Sequence, residues 1–408
     1  MATRDAAEGP LAGIRITDFT WAWAGPQGTL LLAMLGAEVI KIESRTRLDH
    51  ARVRSLMAGA VHGGPDESPF FNDLNLGKLS LSVDLRKEES RDIIRRLVAK
   101  SDAVVQNMRP GVLDRLELGY EDLRAVKPDI IMLSSSAVGA TGPEKSYAGY
   151  APTFAALSGA ADITGYPDRQ PILISGSVDL RVGTTSAFAV LAALHHRERT
   201  GEGQHIDLSS VEVMSSMVGD AFLEYSMTGR VPTRMGNRDS SMAPHGCYRC
   251  KGEEQWVSIA VGSDAEWTSL KNVIGDPALE ADAFAGSLER WHHQDRLDEI
   301  IGRWTREREP CEAMEILQRA GVAAMPVYTS ETVFRDPHVL ERDVLQKVEH
   351  PVLGERLVVR PPWRFSEDDV SVRRAAPLMG EHNEYVLGEI LGMSPDEIER
   401  LTQDGVLN

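Results

Sequence analysis

The N-terminal half of the chain alternates short β-branched runs with helical stretches, which confines it to a parallel sheet covered by helices. Residues 14–19, Ile-Arg-Ile-Thr-Asp-Phe, read as a strand, and a loop from Thr20 to Gly25 follows. Pro26 stands where a helix can open, because the N–H it lacks has no partner there. The apolar segment 29–35 runs to Gly36, a natural stop, and 37–43 is the next strand. Strands are then expected at 79–83, 103–106, 129–134, 172–175 and 205–208. Helices are expected at 88–100, near 113–123, from about 180 to 198, and after Ser210.

From about residue 230 the texture changes to a hairpin and helices with Leu, Ile and Trp at helical spacing, as in 265–274 and 312–320. The last segment has Pro-rich connections and a helical stretch over 384–391. The reading is an α/β chain: residues 1–225 as a large domain, 226–330 as a smaller α+β middle domain, and 331–408 as a return to the large one. A length of 408 residues suits two domains.

The opening residues hold no apolar run, and no eighteen apolar residues run together. The expectation is a soluble, cytoplasmic protein. A net charge of −17 repels a phosphate backbone and argues against nucleic acid, while a local basic cluster still suits a small polyanion. Three cysteines fit a reducing compartment. Cys247 and Cys250 form one C-x-x-C without a second ligand pair, so a strand and turn leading into 256–261 are expected there, and no metal.

The first strand–loop–helix–strand unit ends in Glu43, the place of a ribose-binding acid, but its loop is Ala24-Gly25-Pro26-Gln27-Gly28 and lacks G-x-G-x-x-G. Nicotinamide and flavin are not expected. Asp179 precedes a long apolar helix. It reads either as an N-cap or as a nucleophile kept ionised by the helix dipole. Arg45, Arg47, Arg52 and Arg54 follow the second strand, Lys78 starts the third, and Arg109 and Arg115 follow the fourth. Ligands of parallel sheets sit beyond the carboxyl ends of strands.

These residues carry a resemblance that runs nearly end to end. Asp18-Phe19-Thr20, Ala24-Gly25-Pro26 and the run from Leu35 to Glu43 open it. Asp49 with Arg52, Asn75 with Lys78, Asn107-Met108-Arg109-Pro110-Gly111 with Asp114-Arg115, Thr200-Gly201-Glu202-Gly203-Gln204, Ala376-Pro377 and Gly380-Glu381-His382 continue it. The chain resembles the class III CoA transferases, the formyl-CoA and carnitine type, and its segment 18–26 is most similar to the benzylsuccinate branch. The resemblance implies a large Rossmann-like domain from both chain ends, a smaller middle domain and two ring-like subunits interlocked as a dimer. It implies catalysis by Asp179 through an aspartyl-CoA thioester, with Trp23, Ala24, Arg45, Asn75, Lys78, Asn107 and Arg115 lining the CoA site. CoA thioester is then a substrate, and no cofactor is bound permanently. The benzylsuccinate branch further implies succinyl-CoA as donor, an aryl dicarboxylate as acceptor, and a related partner subunit in place of a second identical one.

Two departures bear on this. Residues 236–244, Gly-Asn-Arg-Asp-Ser-Ser-Met-Ala-Pro, stand where the formyl-CoA branch has a glycine-rich loop, and Tyr147 stands where many relatives have a basic residue. The alternatives are an α-methylacyl-CoA racemase and a transferase for another acid, carnitine-type or oxalate. The racemase needs a histidine and an aspartate where this chain has Tyr150 and Ala151. A catalytically silent partner subunit is argued against by the presence of Asp179. Trp21 and Trp23 beside the CoA site suit a bulky acyl group, or else pack the dimer.

Overall fold

A computed structural model describes residues 9–53 and 63–408, so Arg54 lies outside the described residues. The chain forms two compact units. Unit 1 takes Met1–Ala161, Leu173–Arg230 and Leu340–Asn408, and unit 2 takes Asp162–Ile172 and Val231–Val339.

In unit 1 the elements run β1 (Arg15–Asp18), α1 (Ala24–Met34), β2 (Glu38–Glu43), α2 (His50–Val53), α3 (Pro69–Leu74), β3 (Leu79–Ser82), α4 (Glu88–Val98) and β4 (Ala103–Gln106). They continue through a 3-10 turn (Asp114–Leu116), α5 (Tyr120–Val126), β5 (Ile131–Ser136), α6 (Ala151–Leu157), α7 (Gly176–Thr200), β6 (His205–Ser209), α8 (Ser210–Met217) and α9 (Gly219–Thr228). The six strands form one parallel sheet in the order β3-β2-β1-β4-β5-β6. Strands β1 to β5 are buried along nearly all their length because both faces are covered. Ile40, Ile42, Leu81, Val104 and Met132 pack under one layer, and Ile16, Val39, Val105 and Leu133 under the other.

The run 172–175, expected as a strand, joins none of the sheets, and Ile172 and Leu173 are exposed. β-propensity without a ladder partner does not make a strand. The helix that follows begins at Gly176, four residues earlier than its apolar pattern indicates. α7 spans 25 residues and is long and apolar enough to cross a membrane by composition. Its buried face, including Val182, Gly183, Ala187 and Val190, packs along α1 and β5, the position of a core helix.

Unit 2 holds an antiparallel sheet of β7 (His245–Arg249), β8 (Trp256–Ala260) and a later strand, with α10 (Asp264–Ile274), α11 (Ser287–His292), α12 (Gln294–Arg306) and α13 (Pro310–Arg319) around it. That later strand is β9 (Ala323–Pro326), and the short helices α14 (Ser330–Val333) and α15 (Pro337–Glu341) lead back. Trp267, Phe284, Ile300, Ile301 and Leu317 make its core. The segment 162–172 belongs here: Arg234 Nη1 donates to the Asp162 carbonyl at 2.8 Å, and the Gly236 N–H donates to the Gly165 carbonyl at 2.8 Å. The C-x-x-C lies on and just past β7, and burial raises the Cys250 thiol to about 11. Such a thiol stays protonated at neutral pH.

The return to unit 1 adds the hairpin β10 (Leu345–His350) with β11 (Gly354–Val359), π-helical turns over Tyr385–Ile390 within the expected helical stretch, and α16 (Pro395–Gln403). Val386, Leu387, Leu401, Val406 and Leu407 complete the core beside β3, and Leu407 pairs with Val83.

Candidate functional site

The sheet order reverses between β1 and β4, and at such a point the crevice for a ligand opens beyond the carboxyl ends of the strands. The loop leaving β1 lies there, and side chains hold both backbone polar groups of Thr20 and of Trp21 and the N–H of Ala22. The Thr20 N–H donates to Asp18 Oδ1 (2.8 Å), and Lys41 Nζ donates to the Thr20 carbonyl (2.6 Å). Asn107, just past β4, accepts the Trp21 N–H on Oδ1 (2.7 Å) and donates from Nδ2 to the Trp21 carbonyl (2.8 Å). Asp49 Oδ1 accepts the Ala22 N–H (2.9 Å). Ala22 itself is left-handed, with φ of 65°. A non-glycine residue there carries strain that its surroundings must hold.

Beneath the loop lie two buried ion pairs, Lys41–Asp49 at 2.9 Å and Lys78–Asp18 at 3.3 Å. Lys78 Nζ also donates to the Pro26 carbonyl (3.0 Å), Thr29 Oγ1 (2.8 Å) and Asn75 Oδ1 (2.9 Å). Burial pulls the Lys78 ammonium down to about 8, only partly countered by Asp18. Burial acts against the charge of Asp18 too, but Lys78, Lys41 and the hydroxyl and amide donors outweigh it and hold the carboxyl below its usual range. Lys41 is raised, because Asp49, Asp18 and Glu43 outweigh its burial.

Asp179 is the fourth residue of α7, whose cap is Ser175, and its N–H donates to the Ser175 carbonyl at 3.3 Å. The N-cap reading is therefore overturned: the carboxylate is half-buried within the first turns, where the dipole favours negative charge. Residues three and four apart share a helix face, so Asp179 lies on the stripe of Gly176 and Gly183. Both glycines face α1 and the residue before it. A Cβ on Gly176 would sit 3.5 Å from the Trp23 ring, and one on Gly183 would sit 2.8 Å from the Ala24 carbonyl oxygen. The absence of a side chain at Gly183 seats Ala24 and Gln27 against the stripe that carries Asp179, and the Trp23 ring lies within ordinary contact reach of Gly176.

The other expected residues are spread around this corner. Trp23 meets Phe70 edge-on at 5.0 Å, and Trp21 lies under the Arg47 guanidinium at 5.0 Å. Asn75 and Lys78 have no exposed surface and stand behind the loop. Arg45 is exposed on the flank after β2, its Nη2 donating to the Met379 carbonyl at 3.2 Å. Arg115 is exposed on the 3-10 turn after β4. Arg109 lines an open cleft of about 220 Å³ with Gln106, Ser134 and Asp207. Arg52 is fully buried, bidentate on Glu43 (2.7 and 2.6 Å) and 3.6 Å above the Phe71 ring. Glu43 is thereby occupied, and no ribose can take it. Lys41 is the side chain under the loop that sequence reasoning passed over. Its signal was a lysine inside Val39-Ile40-Lys41-Ile42, since a charge in a doubly covered strand must have a buried partner.

The model of the family described as CoA-transferase family III matches residues 11–383. The chain belongs to that family. It is an enzyme of the CoA-transferase class. It is 33% identical to the succinyl-CoA–D-citramalate CoA-transferase of Chloroflexus aurantiacus over 98% of each chain. It is 32% identical to the succinyl-CoA:mesaconate CoA-transferase of Haloarcula hispanica, over 96% of this chain and 99% of that one. Among solved structures, a CAIB/BAIF family protein from Brucella suis is 31% identical, with a TM-score of 0.84 over 94% of this CoA-transferase and 100% of that chain.

Proposed function

We propose that this CoA-transferase moves CoA from succinyl-CoA to a short dicarboxylic acid through a thioester on Asp179. The carrying observation is the place of Asp179: inside the first turns of α7, on the stripe that receives the Trp23–Ala24 corner. A carboxylate oxygen of Asp179 attacks the donor thioester carbonyl, the C–S bond breaks, and CoA leaves as thiolate with a mixed anhydride behind it. The thiolate then attacks the Asp179 acyl carbon, forming aspartyl-CoA and releasing succinate. The acceptor carboxylate repeats both steps in reverse and restores the free aspartate. A carboxylate is a weak nucleophile, so the catalytic contribution is positioning and exclusion of water. In this reading Trp23, Ala24 and Asn107 shape the CoA-facing loop, Arg45 and Arg115 meet its phosphates, and Asn75 with Lys78 support the loop from below. The setting is the cytoplasm, where CoA thioesters are available.

The relatives named for citramalate and mesaconate support succinyl-CoA as donor and a short dicarboxylate as acceptor. Benzylsuccinate is the aryl-substituted member of that class. The indoles that point to it both have ring or cation neighbours within the chain, which favours acids without an aryl group. Association with a second copy, interlocked or paired, is supported by α9: it buries no residue and exposes Phe222, Leu223, Tyr225 and Met227.

The test is incubation with succinyl-CoA followed by hydroxylamine and peptide mass spectrometry. The peptide bearing Asp179 should carry the label, and Asp179→Ala should lose both label and transfer. With Ser175 as the cap, the helix start does not depend on this carboxylate, its dipole contact is worth about 0.3–1 kcal/mol, and a thermal melt checks that the variant stays folded. A panel of citramalate, mesaconate, oxalate and benzylsuccinate sorts the acceptor. Full transfer by Asp179→Ala sinks the mechanism, and transfer to none of these dicarboxylates sinks the acceptor class.

A further inference from the structure

Resting on the reading of the Thr20–Ala24 loop as the acyl-CoA loop, we propose that the buried Lys41–Asp49 pair positions that loop by holding Ala22 in its left-handed conformation. Lys41 is reached from the middle of β2, at the level of Asp18 in β1, and both it and Asp49 are shielded from solvent. Each partner also makes a contact to the loop, and Asp49 Oδ1 accepts the Ala51 N–H as well at 2.9 Å. Lys41 holds the Thr20 carbonyl at 2.6 Å, and Asp49 Oδ1 holds the Ala22 N–H at 2.9 Å. The two contacts bracket Trp21, which Asn107 grips on both backbone groups. A loop so held is pre-ordered before any ligand arrives.

A buried pair is a poor way to add stability, because desolvation offsets most of the attraction and apolar replacements are often neutral. Here the charges sit where they fix backbone groups next to a strained residue. Strain that persists under such over-determination marks a site where geometry is used. Trp23 and Ala24, set against the α7 stripe of Asp179, follow directly on Ala22. The direction of Ala22 therefore sets where the thioester-facing corner stands. Lys41 and Asp49 act through this backbone and touch no reacting atom in the proposed chemistry, so they are positioning residues.

The experiment is the double variant K41M/D49L, which removes both charges without leaving one orphaned. It is read by thermal melt, by hydrogen exchange of the peptide spanning 19–28 and by kcat and KM. The expected result is a cooperative melt, loop exchange about tenfold faster, and kcat/KM lower by about a hundredfold, the scale of a 1 Å misplacement. Adding Ala22→Gly to the double variant is the decisive arm. Glycine takes the left-handed conformation without strain, so kcat/KM should recover about tenfold, the worth of that strain in one residue. A merely structural role predicts no such recovery. A folded double variant with wild-type loop exchange and wild-type kcat/KM overturns the proposal, as does failure of glycine to rescue. If the double variant does not melt cooperatively, Asp49→Asn replaces it, since it keeps an oxygen for the Ala22 N–H and removes only the ion pair. Wild-type exchange and kinetics in that variant overturn the proposal equally. Exchange of the loop reports on positioning even if the wild-type protein transfers no CoA, an outcome that condemns the proposed function and leaves this inference to the exchange data.

Discussion

Gly183→Ala adds one methyl group to the seam between α1 and α7. The new Cβ would lie 2.8 Å from the Ala24 carbonyl oxygen and 2.8 Å from both Cβ and Cγ of Gln27. Ordinary carbon contacts are about 3.5–4.0 Å, so the opening turn of α1 must retreat by roughly 1 Å. Overpacking of this kind costs about 1–3 kcal/mol, and exchanging a mid-helix glycine for alanine returns about 1 kcal/mol. The net loss of about 0–2 kcal/mol leaves the chain folded. The retreat carries Trp23 and Ala24 away from the stripe of Asp179, and kcat/KM should fall about a hundredfold. Urea denaturation followed by circular dichroism gives the first quantity, and initial rates with succinyl-CoA and an accepted acid give the second. Gly28→Ala, whose Cβ would meet the Gly183 carbonyl oxygen at 2.9 Å, should act in the same direction. A Gly183→Ala protein that folds normally and keeps wild-type kcat/KM refutes the claim that this seam sets the site.

His350 should give the stability a pH dependence of definite sign. Its Nδ1 accepts the Val352 and Leu353 N–H groups at 3.2 and 3.1 Å, and burial lowers its pKa from 6.5 despite the nearby carboxylates of Asp66 and Glu381. The unfolded chain takes up the proton first, so the contribution is fully present above about pH 6.5 and is lost as pH falls toward the lower folded value. Urea midpoints at pH 7.5 and 5.5 should differ less in His350→Gln than in the wild type; an equal difference in the two proteins contradicts the assignment. The cysteines should separate by reactivity: at pH 8 iodoacetamide should modify exposed Cys311 and spare Cys250, buried and raised to about 11, until urea is added. Equal labelling of the two in the folded protein contradicts the burial argument.

The parallel sheet was legible because short β-branched runs alternate with helical stretches: β1 to β5 fall within two residues of the segments read from sequence. The start of α7 was not. Gly176 and Ser177 are poor helix formers, and the apolar pattern that marks the helix begins only after them. α16 carries a clear signal that was passed over, since Ser394 and Glu397 form a capping box around Pro395. At the site, sequence order placed Asp179 ahead of a long helix but could not say that Ser175 would cap it. Sequence order also grouped the basic residues after successive strands without separating their fates. Arg45 and Arg115 stay exposed, while Arg52 and Lys78 turn inward to Glu43 and Asp18. Which carboxylate neutralises which cation is a property of the fold in three dimensions, and no local pattern encodes it.

The discontinuity of unit 1 constrains how the protein is made. Ribosomes release the chain from its N-terminus, and domains generally fold as they emerge. Residues 231–339 carry a complete apolar core of their own and can close as soon as they leave the exit tunnel. The sheet that emerges before them cannot, because Val386, Leu387, Leu401, Val406 and Leu407 belong to its core. Asn408, whose Oδ1 accepts the Arg45 N–H and the Ser82 hydroxyl, tightens two strand ends next to the basic flank. The earlier-synthesised half therefore waits, with one face of its sheet unsealed, through the translation of well over a hundred codons. During that interval its exposed Ile, Leu and Val surface is the natural client of a chaperone. Stop codons or frameshifts late in the gene should thus yield insoluble product rather than a shortened working enzyme.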